Sequence, residues 1–367
     1  MVQRSQTLAM LKKWLTRAVI AALGLVLLAL ITGFVYEQIG RNEEVRRLPR
    51  RIGQAVNIGG RTLNLYCSGQ GSPTVVFETG GNDTGYDWSL LQPKVAQFTR
   101  ACWYDRAGVG WSDPPPTART SASVVGDLHE LLGRAGVAPP YVLVGASVGG
   151  EYIRVYTSRY SQDVVGLVLL DSSHPDQREP VFMQSPFNLM SPGKRHLICA
   201  ALPFMARFGI FRFIANRMRG PAPSQSSERI ELLQALNSRP DAMRVDGEQT
   251  CAATDNGRFV PANGTGNPEL DNAARNAGTL GDRPLLVLTA GRYWAPPGFE
   301  KEAVDYHEVW VHQLQASLAR LSTHGKQVVV DAHHNMDEAP DAVLKSIQQV
   351  VSDVRAEDKT TRVQGTR

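Results

Sequence analysis

One serine of this chain lies in a setting that could make it a nucleophile. Gly145, Ser147 and Gly149 form a G-x-S-x-G run directly after the apolar stretch Tyr141–Val144. The chain has to reverse there between a strand and a helix, so residues without a side chain flank the serine. Such a turn holds the serine in an uncommon backbone conformation and exposes its hydroxyl above a sheet. The pattern predicts that Ser147 is a nucleophile, and the alternative is a glycine-rich turn with a chance serine.

The segments that must position Ser147 alternate between two kinds. Short, mostly apolar runs are typical of strands buried on both faces of a parallel sheet. Eight such runs are predicted, at Gln54–Ile58, Thr62–Cys67, Thr74–Glu78, Ala101–Tyr104, Tyr141–Val144, Val164–Leu170, Leu285–Thr289 and Gln327–Val330. Amphipathic helical periodicity is found at Thr120–Arg134, Tyr306–Leu321 and Asp341–Val354. This alternation predicts an α/β fold, with helices on both faces of a mostly parallel eight-stranded sheet.

A gap of more than 100 residues interrupts this rhythm between Leu170 and Leu285. It contains an apolar block from His196 to Met218, rich in Phe and Leu. Loops of this length are uncommon unless they are functional or form a subdomain. We therefore expect a helical cap at residues 175–283, inserted into a core formed by residues 54–174 and 284–355. Residues 356–367 are expected to be a polar, frayed tail.

The N-terminus is typical of a membrane anchor. A basic segment, residues 1–17, precedes an uncharged apolar run of 19 residues, residues 18–36. At about 1.5 Å per residue a helix of this length is just able to cross the roughly 30 Å hydrocarbon core of a bilayer. No convincing cleavage site follows the run, which favours an uncleaved signal anchor over a cleaved peptide. Residues 37–53 are predicted to form a polar, arginine-rich stalk.

Composition excludes several other classes. The formal net charge is +4, and outside the N-terminal region the basic residues are scattered, so a nucleic-acid partner is not predicted. The four cysteines contain no C-x-x-C spacing of a metal or redox motif. Nothing in the sequence implies a metal or an organic cofactor.

Taken together, four motifs resemble the α/β-hydrolase superfamily, in particular its serine esterase and lipase-like members. They are the G-x-S-x-G run, the run Phe77–Asn82 after the third strand, the Y-D-R-A-G-x-G-x-S run at Tyr104–Ser112, and a late histidine loop that ends at Pro340. The resemblance covers roughly residues 54–355 apart from the cap. It implies a Ser-His-acid triad in the chain order nucleophile, acid, histidine.

The resemblance points to two adjacent histidines as the general base. Similar hydrolases often read G-H-x-x-x-x-x-x-P in this loop. His333 and Pro340 have that spacing, with Ala332 in the place of the glycine. On this spacing we expect His333 to be the base, and His334 is the alternative.

The acid is less directly indicated. Some lipases and dehalogenases of the superfamily carry it at the end of the sixth strand, where Asp171 follows Ser147 by 24 residues. We expect Asp171 to be the acid, although an Asp here could also cap the turn into the cap segment. Many other members place the acid after the seventh strand, which makes Asp305 and Glu302 the rivals.

The resemblance also implies an oxyanion hole made of two backbone N–H groups. The expected donors are Val148, directly after the nucleophile, and Gly81, in the loop after the third strand. Asp105 and Arg106 are expected to be structural, as an ion pair that braces the loop after the fourth strand.

The four cysteines are expected to form two disulfides. In the implied fold the strands of Cys67 and Cys102 are neighbours, and Cys199 and Cys251 both lie in the inserted segment. We therefore expect disulfides Cys67–Cys102 and Cys199–Cys251, with four buried thiols as the alternative.

These expectations combine into a membrane-anchored serine hydrolase whose catalytic domain lies on the extracytoplasmic side. The expected substrate is a carboxylic ester with a hydrophobic, lipid-like acyl group, and no cofactor is expected. Amidase, peptidase, cofactor-free peroxidase-like and acyl-transfer activities stay open, because one triad can serve all of them. A non-catalytic binding protein that keeps the fold is the alternative of a different class.

Overall fold

The computed structural model of the chain describes most of its 367 residues. The described ranges are 2–81, 83–117, 119–177, 192–217, 226–251, 254–255, 258–259, 268–293 and 300–365.

An eight-stranded sheet forms the centre of the fold. Its strand order is β1-β2-β4-β3-β5-β6-β9-β10, and only the pairs β1–β2 and β2–β4 are antiparallel. The predicted mostly parallel architecture is therefore confirmed. The strands are β1 (Gln54–Asn57), β2 (Thr62–Ser68), β3 (Thr74–Glu78), β4 (Ala101–Tyr104), β5 (Tyr141–Ala146), β6 (Val164–Leu170), β9 (Leu285–Ala290) and β10 (Gly325–Val330).

Each face of the sheet has its own apolar core, because successive side chains of a strand point to opposite faces. In β3, Val75 and Phe77 belong to one core and Val76 belongs to the other. The two cores account for the nearly continuous apolar runs of the inner strands, since β3, β4 and β9 are buried on both faces.

The core helices lie in the gaps that periodicity assigned to them. They are α2 (Gln92–Val95), α3 (Ser121–Arg134), α4 (Val148–Arg159), α10 (Glu300–Val309), a π-helical segment (Trp310–Gln315), α11 (Ala316–Ala319) and α12 (Pro340–Gly365). A capping box of Thr120 and Ser123 starts α3, so this helix begins where its periodicity begins. The predicted frayed tail is instead helical, because α12 continues to Gly365.

Between β6 and β9 the described residues form five helices and a short hairpin. They are α5 (Pro192–Arg207), α6 (Ile210–Arg217), α7 (Ser227–Asn237), α8 (Pro240–Cys251), the strands β7 (Thr254–Asp255) and β8 (Arg258–Phe259), and α9 (Pro268–Asn276). Leu232 and Leu236 of helix α7 pack in the core that contains Val75 and Phe77. We call α5–α9 the cap.

A single N-terminal helix, α1 (Val2–Arg47), is long and apolar enough to cross a membrane by length and composition. It continues without a break through most of the predicted stalk. Its C-terminal part packs against the cap, where the rings of Phe34 and Phe208 lie 6.5 Å apart. Helix α1 and the cap are thus in direct contact.

The structure links Cys67 to Cys102 across β2 and β4, where the two residues are directly paired. This is the predicted pairing. The second predicted pair cannot be followed, because the side chains of Cys199 and Cys251 lie outside the described part of the chain.

Candidate active site

The turn at Ser147 has the backbone conformation that its flanking glycines predict. Ser147 has φ 51° and ψ −125°, a region that residues with side chains seldom occupy. A Cβ atom on Gly145 would lie 2.7 Å from the carbonyl oxygen of Gly149, and one on Gly149 would lie 2.5 Å from that of Thr79. Larger residues would therefore collide with backbone, and the turn needs both glycines.

Ser147 begins a chain of hydrogen bonds through one histidine to one carboxylate. Its Oγ lies 3.0 Å from Nε2 of His334, and Nδ1 of His334 lies 2.5 Å from Oδ2 of Asp171. The three residues come from the end of β5, the end of β6 and the loop after β10. Because these strands are parallel, their carboxyl ends meet at one edge of the sheet, which brings the side chains together.

Asp171 is fixed in place by more than His334. Its carboxylate is nearly fully buried, and Oδ1 accepts hydrogen bonds from the backbone N–H of Ala290 at 3.0 Å and from Nε1 of Trp310 at 2.8 Å. Oδ2 is therefore left to face the histidine. The rival Asp305 is exposed on α10, and the side chain of Glu302 lies outside the described residues.

The structure corrects the choice between the two histidines. The Nδ1 atom of His333 lies 2.6 Å from Oε1 of Glu338, and its backbone N–H also bonds to that carboxylate. The cause is local: Ala332 is fully buried and its carbonyl oxygen accepts from the N–H of Arg292, so the loop turns toward Ser147 one residue later than the motif spacing suggests. His334, the alternative, occupies the position next to Ser147.

Asp171 changes the proton affinity of His334. Burial of the ring lowers its pKa, but the hydrogen bond and the negative charge of Asp171 raise it by more, and Asp83 adds to the rise. The net result is a pKa above the ordinary value for histidine. The imidazole is still 52% exposed, so solvent screens part of this interaction.

The loop after β3 passes directly over Ser147. A Cβ atom on Gly80 would lie 3.3 Å from Cβ of Ser147, and Gly81 has a positive φ of 26°. On the other side, Val148 is the first residue of α4, so its N–H belongs to the helix N-terminal donors that have no intrahelical acceptor. The predicted donors Gly81 and Val148 thus both lie on segments that border the serine.

A buried arginine holds this loop. The guanidinium of Arg106 donates to the carbonyl oxygens of Thr79, Gly80 and Gly81, and it also forms an ion pair of 2.6 Å with Glu78. Glu78 in turn accepts a short hydrogen bond from the hydroxyl of Tyr104. We name Glu78, Tyr104 and Arg106 the loop clamp.

The expected pairing of Arg106 with Asp105 is therefore wrong. Asp105 points away and accepts from the backbone N–H groups of Gly85 and Trp111 and from Nδ2 of Asn64. Burial raises its pKa to about 6, although these hydrogen bonds act in the opposite direction. Sequence reasoning missed the loop clamp, and its only signal was a glutamate at the end of the otherwise apolar strand β3.

Within the described ranges no group of three His, Cys, Asp or Glu side chains is arranged to hold a metal ion. The hydrogen-bonded series of Ser147, His334 and Asp171 can instead activate a hydroxyl: the imidazole accepts its proton, and the carboxylate stabilises the imidazolium that forms.

Comparison with known proteins agrees with this architecture. Residues 73–191 match a family model described as alpha/beta hydrolase fold. The structure of a thermophilic esterase from Thermogutta terrifontis superposes with a TM-score of 0.54, covering 83% of this chain and 99% of that one at 20% sequence identity. At this identity the similarity establishes the fold.

Two relatives without an established function are also similar in sequence. An uncharacterized protein of Bacillus subtilis, YbdG, is 26% identical over 219 residues, which are 58% of this chain and 65% of that protein. An uncharacterized vacuolar membrane protein of Saccharomyces cerevisiae is 33% identical over 126 residues, which are 33% of this chain and 19% of that protein. The chain thus covers less than two thirds of the length of either relative.

The influence of Asp171 on His334 can be measured directly. Replacement of Asp171 by Asn removes the negative charge, so we expect the pKa of His334 to fall below its value in the parent protein. The measurement is an NMR titration of the His334 ring, assigned by its loss in His334→Gln. The pKa of His334 is higher in the folded protein than in the unfolded chain, so the pairing of His334 with Asp171 adds to the free energy of unfolding below about pH 6.5. This added stability is lost as the pH rises through the elevated pKa of His334. An unchanged titration in Asp171→Asn would contradict the assignment of the partner.

The loop clamp makes a second prediction. Arg106→Met leaves the carboxyl of Glu78 buried without its cation, and we expect a loss of about 3–5 kcal/mol in the free energy of unfolding. Burial already raises the pKa of Glu78, against the opposing effects of Arg106 and Tyr104, and without Arg106 it rises further. The variant must therefore lose more stability at about pH 8 than at about pH 5.

Urea unfolding of the full chain in detergent measures this effect, and the double variant Glu78→Gln/Arg106→Met is the control. Without a buried charge it should recover part of the stability and lose the extra pH dependence. If Arg106→Met alone were no less stable than the double variant, Arg106 would not be the partner that Glu78 requires.

Proposed function

We propose that this chain, which has the α/β-hydrolase fold, is a membrane-anchored serine hydrolase that cleaves carboxylic esters. The observation that carries this proposal is the hydrogen-bonded series from Ser147 through His334 to Asp171, with distances of 3.0 Å and 2.5 Å. It replaces the base expected from the sequence, His333, by its neighbour and keeps the expected nucleophile and acid.

In the proposed first step, Oγ of Ser147 attacks the carbonyl carbon of the ester while Nε2 of His334 takes the hydroxyl proton. Asp171 holds the Nδ1–H tautomer of His334 and stabilises the imidazolium. The protonated His334 then donates its proton to the leaving alkoxide, so an alcohol departs and an acyl-enzyme remains. In the second step the same nitrogen takes a proton from water, whose oxygen attacks the acyl carbon. The bond between the acyl carbon and Oγ of Ser147 then breaks, the imidazolium of His334 returns its proton to Oγ, and the carboxylic acid departs.

The negative charge that develops on the carbonyl oxygen of the substrate has to be stabilised by hydrogen-bond donors. The N–H groups of Val148 and Gly81 are the proposed oxyanion hole, because both segments border Ser147. The three carbonyl bonds of Arg106 fix the backbone of residues 79–81. Because its backbone is fixed in this way, the N–H group of Gly81 can donate to the substrate oxygen without rearranging during the reaction, which is the basis of electrostatic preorganisation.

We expect the substrate to be hydrophobic. The support is the apolar cap sequence and the N-terminal helix, which is able to span a membrane by length and composition. The name of the yeast relative, a vacuolar membrane protein, agrees with a membrane-associated role.

Active-site labelling tests the proposal. The full chain in detergent is incubated with a fluorophosphonate probe, and p-nitrophenyl esters of increasing acyl length are offered as substrates. We expect labelling of the parent protein, its complete loss in Ser147→Ala, and a reduction of esterase turnover by about three to four orders of magnitude in both Ser147→Ala and His334→Ala.

His333→Ala is the matched control, since it removes the adjacent imidazole that pairs with Glu338. It should keep most of the labelling and turnover. A folded parent protein that does not react with the probe would favour a non-catalytic binding protein. Loss of activity in His333→Ala with retention in His334→Ala would overturn the assignment of the base.

We further propose that the catalytic domain lies on the extracytoplasmic side of the membrane. The Cys67–Cys102 disulfide supports this orientation, because disulfides persist in oxidising compartments and are rare in the cytosol. Basic residues before the apolar run of α1 favour a cytoplasmic N-terminus.

This orientation makes a prediction in intact cells. After acid quenching and alkylation of free thiols, we expect the peptides of Cys67 and Cys102 to remain joined until a reductant is added. External protease should degrade the catalytic domain of spheroplasts while an epitope placed before Gln3 stays protected. A protected catalytic domain with alkylated Cys67 would place it in the cytosol.

A further inference from the structure

Helix α6 in the cap has its polar and apolar sides exchanged relative to a helix in water. Its charged residue Arg212 is turned inward, with only 12% of its side chain exposed. Its apolar residues Phe213 and Ile214 are 55% and 41% exposed. A surface helix of a soluble domain directs its apolar stripe to the core and its charges to water. This reversal indicates that the outer face of α6 does not meet water.

The inward charge is fully matched by α1. Arg212 donates to Glu37, at 2.8 Å, and to Glu44, both on the part of α1 that follows the apolar run. Glu37 is almost fully buried, and it also accepts from Arg41 at 2.7 Å. Arg212 thus has two carboxylate partners on α1, and loss of both would leave its charge buried without a partner, so this cluster fixes α6 to α1.

The turn between α5 and α6 lies against the last turn of the apolar run of α1. A Cβ atom on Gly33 would lie 2.6 Å from the carbonyl oxygen of Phe208, so the backbones are in close contact there. The Phe208 ring lies 4.5 Å from that of Phe204, which is 50% exposed. Phe204, Phe208, Phe213 and Ile214 thus continue the apolar surface of α1, and we call these four residues the cap patch.

The cap helices α5 and α6 each end in an arginine. Arg207 closes α5 and Arg217 closes α6, both exposed, and the guanidinium of Arg217 lies 5.8 Å from the centre of the Phe213 ring. Apolar and aromatic residues bordered by arginines are typical of helices in the interface of a bilayer, where the cation reaches the headgroups.

From these contacts we propose that the cap patch is inserted into the lipid bilayer beside α1, at the boundary between acyl chains and headgroups. The occupant of this surface is membrane lipid, because the patch is continuous with the apolar run of α1, which is itself exposed along its length. The proposal deepens the proposed function and rests on it for one consequence: an ester dissolved in the bilayer meets the cap without first entering water.

A series of contacts through α7 connects α1 to the segment that follows the loop over Ser147. Arg47 of α1 pairs with Glu231 of α7 at 3.1 Å. On the same helix, Arg229 donates to the carbonyl oxygen of Asp87 at 2.8 Å and to the hydroxyl of Ser89 at 3.0 Å. Both acceptors belong to the 3-10 turn Gly85–Leu90, which follows the loop over Ser147. Helix α7 therefore contacts both α1 and the segment that follows the loop over Ser147.

Photo-crosslinking of the full chain tests the location of the cap patch. Benzoylphenylalanine replaces Phe204 or Phe213 in protein reconstituted into vesicles of phosphatidylcholine and phosphatidylglycerol. Val329 is the matched control, because it is an equally exposed apolar residue, at 52%, on the edge strand β10. We expect lipid adducts, identified by mass spectrometry, at residues 204 and 213, several-fold more than at 329.

The same measurement is made in Ser147→Ala, where lipid adducts are expected to be unchanged. This separates the two proposals, since the adducts do not depend on catalysis. Equal adducts at all three positions would overturn the insertion of the patch. Crosslinks to a second copy of the chain in place of lipid would also overturn it, and would identify the patch as a subunit interface.

A charge on the patch tests its consequence for turnover. Phe204→Asp/Phe213→Asp should keep hydrolysis of a water-soluble short-chain ester and lose several-fold in turnover of a long-chain ester embedded in vesicles. Val329→Asp should change neither. An equal loss on both esters would mean that the patch supports the fold and not access from the bilayer.

Discussion

The carboxylate of Asp171 joins three segments that lie far apart along the chain. It follows β6, accepts from the backbone of β9 and from Trp310, and holds the ring of His334 in the loop after β10. A carboxylate buried without partners would be costly, so these bonds satisfy its charge and at the same time align the imidazole with Ser147. The position of the His334 ring therefore depends on this one buried charge.

A second buried charge pair has the corresponding role on the other side of the serine. Arg106 and Glu78 neutralise each other, and the remaining donors of Arg106 bind the backbone that passes over Ser147. Such a pair contributes less to stability than its short distances suggest, because both groups lose their hydration. Its effect is geometric: three carbonyl groups of one loop are held by a single rigid guanidinium.

A third set of charges joins the cap to α1. Arg212 is surrounded by Glu37 and Glu44, so α6 faces α1 with its polar side and presents its aromatic side outward. The three arrangements share one principle. Each places a charged group in the interior with a matched partner from a distant segment, and the matched pair determines how the two segments lie against each other.

Local pattern in the sequence was enough to predict most of the elements. The eight strands lie within a few residues of their predicted runs, because short apolar segments bounded by turn residues favour strands. The turn at Ser147 was equally predictable, since backbone of Gly149 and Thr79 leaves no room for a Cβ at Gly145 and Gly149. Length and hydropathy alone indicated the N-terminal helix, although not that it continues through the stalk.

Contacts between distant segments could not be predicted in the same way. His333 and His334 are chemically identical neighbours, and the fold decides that His334 is the one that reaches Ser147. Likewise, Arg106 adjoins Asp105 in the sequence but pairs with Glu78, since parallel strands bring the ends of β3 and β4 together. The sequence by itself was enough to predict most of the elements and the turn at Ser147, because these depend on local sterics and periodicity. The tertiary structure decided which histidine lies beside Ser147, the partner of each buried charge and the face that the cap turns outward, because those depend on packing between residues far apart in the chain.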